Sequence, residues 1–190
     1  MAISLQKGSS LSLKKEDGSS LTKVRLGLGW DAAKRGFFGG GGEIDLDASA
    51  VLLGNSGKPM DIVYFGQLTS KDGSIRHTGD NLTGDGDGDD EQINVNLSAI
   101  PANVQSVVFV ITSYTRQKFN SVRNVYARVV DTSTGEKEVV RYNLAESEGK
   151  TANVIAKVSR EGSGWVFTAI GEYTDGKTAH DTLGVVSRHA

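Results

Sequence analysis

Asp80, Asp85, Asp87, Asp89, Asp90 and Glu91 place six acidic groups within twelve residues, with no basic residue among them. The stretch reads Gly79-Asp-Asn-Leu-Thr-Gly-Asp-Gly-Asp-Gly-Asp-Asp-Glu91. Such a segment suits a hard cation, because calcium takes about six to eight oxygens from carboxylates, amides, backbone carbonyls and water in flexible geometry. Gly84, Gly86 and Gly88 alternate with Asp85, Asp87 and Asp89, so the backbone can curl and turn those oxygens toward one point. Crowded carboxylates with no cation repel one another by roughly 1 to 4 kcal/mol per pair at about 4 Å. The alternative is a solvated loop whose charge only keeps it in water. A second pair, Asp45 and Asp47, falls on one side of an otherwise apolar strand together with Ser49. Such a pair calls for a counter-charge, either a neighbouring Lys or Arg or a cation shared with the loop around Asp89 and Asp90.

Known calcium templates do not fit the run. An EF-hand begun at Asp85 has Asp90 where glycine is required and Asn96 in place of the bidentate Glu. Begun at Asp80, it loses two ligands to Leu82 and Gly84. A calcium-binding β-helix needs stacked repeats, and the glycine-aspartate pattern occurs once.

Other chemistries are narrowed by residue type. The chain has no Cys, which removes disulfides, thiolate metal sites and thiol catalysis. His77, His180 and His189 stand without a Ser or carboxylate partner at a recognisable spacing. His77 reads as a polar hairpin residue beside the acidic run. A magnesium-assisted phosphohydrolase remains a rival reading, as clustered carboxylates can hold that ion, although no phosphate-cradling glycine motif with Lys appears. A calcium-dependent interaction or adhesion module is the third. Net charge is −2 and becomes +4 once the six carboxylates of the run are set aside; this gives no basic stripe for nucleic acid.

The elements that must carry these residues are strands. Val24, Leu26, Leu28 and Trp30 alternate with Lys23, Arg25, Gly27 and Gly29, which predicts a half-buried strand over 22–30. Ile44 to Leu52 and Ile93 to Leu97 repeat the pattern. Val107-Val-Phe-Val-Ile111 is continuously apolar and β-branched, as expected of a strand covered on both faces. Further strands are predicted at 3–13, 62–66, 122–130, 137–143, 152–159 and 164–171, separated by turns such as Asn55-Ser-Gly57 and Ser133-Thr-Gly135. About ten short strands with 24 Gly and 2 Pro predict an all-β, two-sheet β-sandwich. Helix is confined to a turn at Ser98 to Pro101 and a weakly amphipathic tail. At 190 residues one domain over 1–190 is expected, loose after about 175. The N-terminus lacks a signal-peptide core and no stretch is long enough to span a membrane, so the expected location is cytoplasmic, with neither nucleic acid nor membrane as partner.

Three motifs together, Gly27-Leu-Gly-Trp-Asp31, Asp45-Leu-Asp-Ala-Ser49 and the run His77 to Glu91, resemble the TerD family of tellurium-resistance and stress proteins. The opening Ser4-Leu-Gln-Lys-Gly8 with Ser12-Leu-Lys-Lys15 is similar to that family too, and the likeness extends to about residue 170. The resemblance implies a non-catalytic β-sandwich that binds one or two calcium ions and works in stress responses, with other stress-response proteins as partners. Carried over position by position, it implies Asp31, Asp45, Asp47, Asp80, Asn81, Asp89, Asp90 and Glu91 as metal ligands or their neighbours. Asp31 enters on the resemblance alone; its spacing would otherwise suggest a turn cap. Asp85 and Asp87 stand where the family often has Glu, and 112–119 is shorter and less acidic than the family pattern.

Overall fold

The computed structural model describes residues 2–32, 45–79, 88–144 and 148–190. Ile44, Gly39 to Gly42, Asp80, Asn81, Asp85 and Asp87 lie outside the described residues. The alternating, β-branched segments become β1 (Ile3–Leu5), β2 (Ser10–Ser12), β3 (Lys23–Ala32), β4 (Leu46–Gly54), β5 (Pro59–Val63) and β6 (Ile75–His77). They continue as β7 (Glu91–Asn96), β8 (Val104–Ser113), β9 (Val122–Asp131), β10 (Lys137–Asn143), β11 (Ala152–Glu161) and β12 (Gly164–Thr174). The first sheet runs β1-β10-β9-β3-β7-β6 and the second β2-β12-β11-β8-β4-β5. β1 and β10 pair in parallel, and the other described pairs are antiparallel. The predicted strand over 3–13 is therefore two strands, one at the edge of each sheet, and β6 is an addition that a three-residue strand could not announce by periodicity.

Alternation sets the core. Val24, Leu26, Leu28 and Trp30 of β3 face Leu46, Ala48, Ala50 and Leu52 of β4 and Val107, Phe109 and Ile111 of β8 in one buried cluster. Each large apolar side chain removed from water there contributes about 1.5–3 kcal/mol. The intervening residues Val51, Leu53, Val108 and Val110 point away from that cluster and form another with Val154, Ile170, Ala179 and Val186. Both faces of the Val107–Ile111 run are covered, as its composition implies.

The cover on the outer face is the C-terminal tail, which is docked rather than loose. It consists of a 3-10 turn (Ala179–Thr182), the one-turn helix α1 (Leu183–Val186) and a second 3-10 turn (Ser187–His189). Thr178 and Asp181 form a reciprocal capping box at its start. Lys157 Nζ donates to the carbonyl of His189 at 2.9 Å, and Arg188 and His189 both meet the Glu172 carboxylate. The segment Ser98 to Pro101 is a turn without a helical stretch, closed by the Ala99 N–H donating to Asn96 O.

Because Val186 is fully buried, Val186→Ala should lower unfolding free energy by about 2 kcal/mol, the transfer of two methyl groups plus a small cavity. A urea midpoint unchanged from wild type would show that the tail does not stabilise the sandwich.

Candidate metal centre

The strand register gathers the acidic residues at one end of the sandwich. β3 ends there at Asp31 and Ala32, β4 begins there after Asp45, and β7 begins there at Glu91. Glu91 pairs with Leu28, and its side chain shares the inward phase of Ile93 and Val95. It is only 1% exposed, and a buried carboxylate is tolerated only when it is hydrogen-bonded. The Ala48 N–H of β4 donates to Glu91 Oε2 across the sandwich. The Gly79 N–H donates to His77 Nδ1 at 3.1 Å, so that nitrogen is an acceptor and the ring proton sits on Nε2. Nε2–H then faces Glu91 Oε2 at 3.3 Å. His77, expected as a hairpin residue, is 1% exposed and belongs to this buried pair.

Asp89 is anchored on the opposite, outward face of the first sheet. Arg128 of β9 grips both of its oxygens, Nε to Oδ1 at 2.7 Å and Nη2 to Oδ2 at 3.0 Å. Tyr126 donates to Asp89 Oδ1 at 3.0 Å and to the Gly88 carbonyl at 2.6 Å, and Gln92 donates to Oδ2 at 3.3 Å. Burial and then the Asp89 charge push the Tyr126 phenol up to about 12, so it remains a donor. The clamp needs glycine beneath it: a Cβ on Gly27 would fall within the Asp89 carboxylate, and one on Gly29 within the Tyr126 ring. Arg128 also pairs with Glu138, which Arg141 holds from the other side while stacking on Tyr126.

Asp90 lies between these anchors, at the exit of β3. Its N–H donates to Leu28 O, and its Oδ2 accepts the Trp30 N–H at 2.7 Å, standing in for the ladder partner that β7 no longer supplies. Asp31 follows directly, exposed, with Oδ2 accepting from the Asn124 amide. Asn124 has φ +53 at the point where the β3–β9 register shifts, a bulge that turns its side chain to the site. Beside them is an open cleft of about 550 Å³ lined by Asp31, Gly88, Asn124, Tyr126 and Arg141 among others. Asp47 occupies a different surface. Its neighbours Leu46 and Ala48 face the inner core, so Asp47 points outward from the second sheet, where it is 4% exposed. Asp47 and Asp89 thus stand on opposite outward faces.

Among the described residues no preformed group of three or more His, Asp or Glu surrounds a metal position. In type the donors fit a hard cation: oxygens only, with Asp90 held on the Trp30 N–H, one residue from Asp31. In number they do not suffice, because Arg128 engages both oxygens of Asp89, and the Ala48 amide and His77 meet one oxygen of Glu91. Asp80 and Asn81, the other expected ligands, lie outside the described residues. Sequence reasoning missed Arg128, Tyr126 and Asn124, which no motif marks; the glycines at 27 and 29 on the outward side of a strand were the available signal.

This sandwich, with an acidic run clamped at one end, matches the TerD domain model over residues 1–180. The chain belongs to the TerD domain family. It is 47% identical to Tellurium resistance protein TerZ of Serratia marcescens over 94% of both chains. It is 44% identical to Stress response protein SCP2 of Bacillus subtilis (strain 168) over the full length of both. The fold also superimposes on a solved homologue of telluride resistance protein (TerD) from Streptomyces coelicolor A3(2). There the TM-score is 0.70 at 22% identity, covering 86% of this chain and 95% of that one. These names place the chain among tellurium-resistance and stress-response proteins and name no enzyme activity.

Arg128→Met, which leaves the fully covered Asp89 carboxylate without its cation, should cost about 3 kcal/mol in chemical unfolding. Adding Asp89→Asn should recover part of that loss. An Arg128→Met variant as stable as wild type would mean the clamp is incidental.

Proposed function

We propose that this chain is a calcium-binding, non-catalytic stress-response protein in which the ion orders the acidic run against one end of the β-sandwich. The observation that supports this most is the division of roles among neighbouring carboxylates. Asp89 and Glu91 are fastened to opposite faces of the first sheet, and that fastening holds Asp90 on the Trp30 N–H, one residue from Asp31. Asp31 and Asp90, with Asp80 and Asn81, are the proposed ligands of one ion. Asp45 and Asp47, on the second sheet, are proposed to serve a separate one. Asp89 and Glu91 act as anchors. When bound, calcium would supply the positive charge that lets these carboxylates approach one another. Oxygen donors and a glycine-spaced loop favour calcium over magnesium, which demands strict octahedral geometry and keeps its waters.

Protein stripped of metal should gain thermal stability with calcium and far less with magnesium. If only the folded state binds, a hundredfold excess over Kd adds about 2.7 kcal/mol. Equal gains from both ions would remove the selectivity. Asp47→Asn and Asp90→Asn should weaken calcium binding additively to within about 0.3–0.5 kcal/mol, as distant sites do. A strongly non-additive double variant would instead put both residues on one ion.

Resistance to tellurium compounds, the property named for the Serratia relative, is proposed to be indirect here. The chain has no thiol to act as reductant, and its sulfur is confined to Met1 and Met60. Purified protein mixed with tellurite in the absence of added thiol should leave the oxyanion unconsumed, and measurable reduction would overturn this.

A further inference from the structure

We infer that the ring cluster where β5 and β8 end is a self-association surface, on which a second copy of this chain docks about a two-fold axis. The contact needs no metal and stands apart from the calcium reading above.

Among the described residues, five large apolar side chains are more than a third exposed. Four of them gather in one region: Met60 on β5, Phe65 and Leu68 on the loop after it, and Tyr114 directly after β8. β5 and β8 flank β4 and are both antiparallel to it, so they end at the same end of the sandwich. The Phe65 ring packs edge-on against Tyr64 at 5.2 Å and Tyr114 at 5.8 Å, and Tyr64 packs likewise on His180 at 5.2 Å. The loop is held in place from within. Tyr64 and Gln67 exchange both backbone hydrogen bonds, and Asp61 accepts from the Lys71 N–H and the Gln67 side-chain amide. Aromatic anchors fixed beforehand lose little freedom on docking, and Tyr, Phe and Met are side chains that protein interfaces concentrate.

The charged groups around the rings carry both signs, divided by Phe65. On the Tyr64 side, Lys71 Nζ lies 3.7 Å from Asp61, and Asp72 is exposed next to it. Lys58 stands at the opposite end of β5. On the Tyr114 side, Lys177 Nζ lies 3.8 Å from the ring centre, and Arg116 and Lys118 are exposed on the segment that follows. Asp181 is there too, its Oδ2 turned to the Lys177 and Thr178 N–H groups. Asp45, beside the Leu46 that pairs with Ser113, is already engaged. Among the described residues the Tyr114 side is thus weighted positive and the Tyr64 side negative.

That division selects the occupant. A partner of one sign, whether nucleic acid or an anionic bilayer, would be repelled on one side of Phe65. A second copy turned about a two-fold axis at Phe65 brings the positive side of each chain to the negative side of the other, so that Lys177 meets Asp72 twice. The net charge of −2 adds little repulsion between copies. The contact is made by side chains and not by an added strand. β5 is the edge of its sheet, yet it starts at Pro59, which has no N–H, and its Ile62 N–H is capped by Asp61; both features blunt an edge. A surface of this extent belongs with the small, transient interfaces of less than about 1,200 Å².

The test is sedimentation equilibrium of the intact chain with chelator present, over a concentration series reaching about 1 mM so that weak dimers register. A monomer–dimer equilibrium is expected. Phe65→Ser and Tyr114→Ser should each weaken it roughly tenfold, whereas Ile3→Ser, at the fifth exposed apolar side chain, should leave it unchanged. Lys177→Glu should weaken it as well, and combining Lys177→Glu with Asp72→Lys should restore it, because the exchanged charges again meet their opposites across the axis. A wild type that stays monomeric throughout overturns the inference, and its pelleting with phosphatidylglycerol vesicles would assign the patch to a bilayer instead. A dimer that Phe65→Ser leaves intact, or that Ile3→Ser weakens equally, places the contact elsewhere and rejects this surface. Failure of the double variant to recover association rejects the two-fold pairing.

Discussion

The bidentate pair between Arg128 and Asp89 is the constraint on which this end of the molecule rests. It requires bare backbone at Gly27 and Gly29, so that a carboxylate and a phenol can lie flat on the sheet. With Asp89 drawn to the outer face and Glu91 two residues later drawn into the core, the chain must cross the sheet plane at Asp90. A segment that would otherwise repel itself enters the fold through one fixed point. The cost of burying Glu91 is offset by an amide from the opposite sheet, so the same residue that ends the acidic run also ties β7 to β4.

Much of the fold was legible from alternation. β3, β4, β7 and β8 appear where period-two patterns and the Val107–Ile111 run place them, because sandwich strands bury every second side chain and that periodicity is local. What failed was non-local. The tail looked weakly amphipathic because its apolar residues, Val186 among them, answer to Val108 and Val154 of other strands. The opening segment could not reveal that β1 joins one sheet and β2 the other, since three-residue strands carry no period.

The site was legible in type and less so in roles. Clustered carboxylates announce cation chemistry, yet the sequence does not say which of them are already engaged by the protein itself. Glu91 shares parity with Ile93 and Val95, and that parity was a sign of an inward carboxylate. Arg128, more than thirty residues from Asp89 in sequence, left no sign at all. Pairing the loop with Asp47 followed from charge alone, whereas Asp47 and Asp89 belong to different outward faces.

The two short strands at the beginning of the chain pair with partners near its other end, β1 with β10 and β2 with β12. During synthesis β1 has no partner until Tyr142 has been made, and β2 has none until Thr168 has. The acidic run is made long before Arg128 and Tyr126 exist to hold it. Asp90 and Glu91 can already meet Trp30 and Ala48 at that point, whereas Asp89 keeps its charge in solvent until β9 arrives.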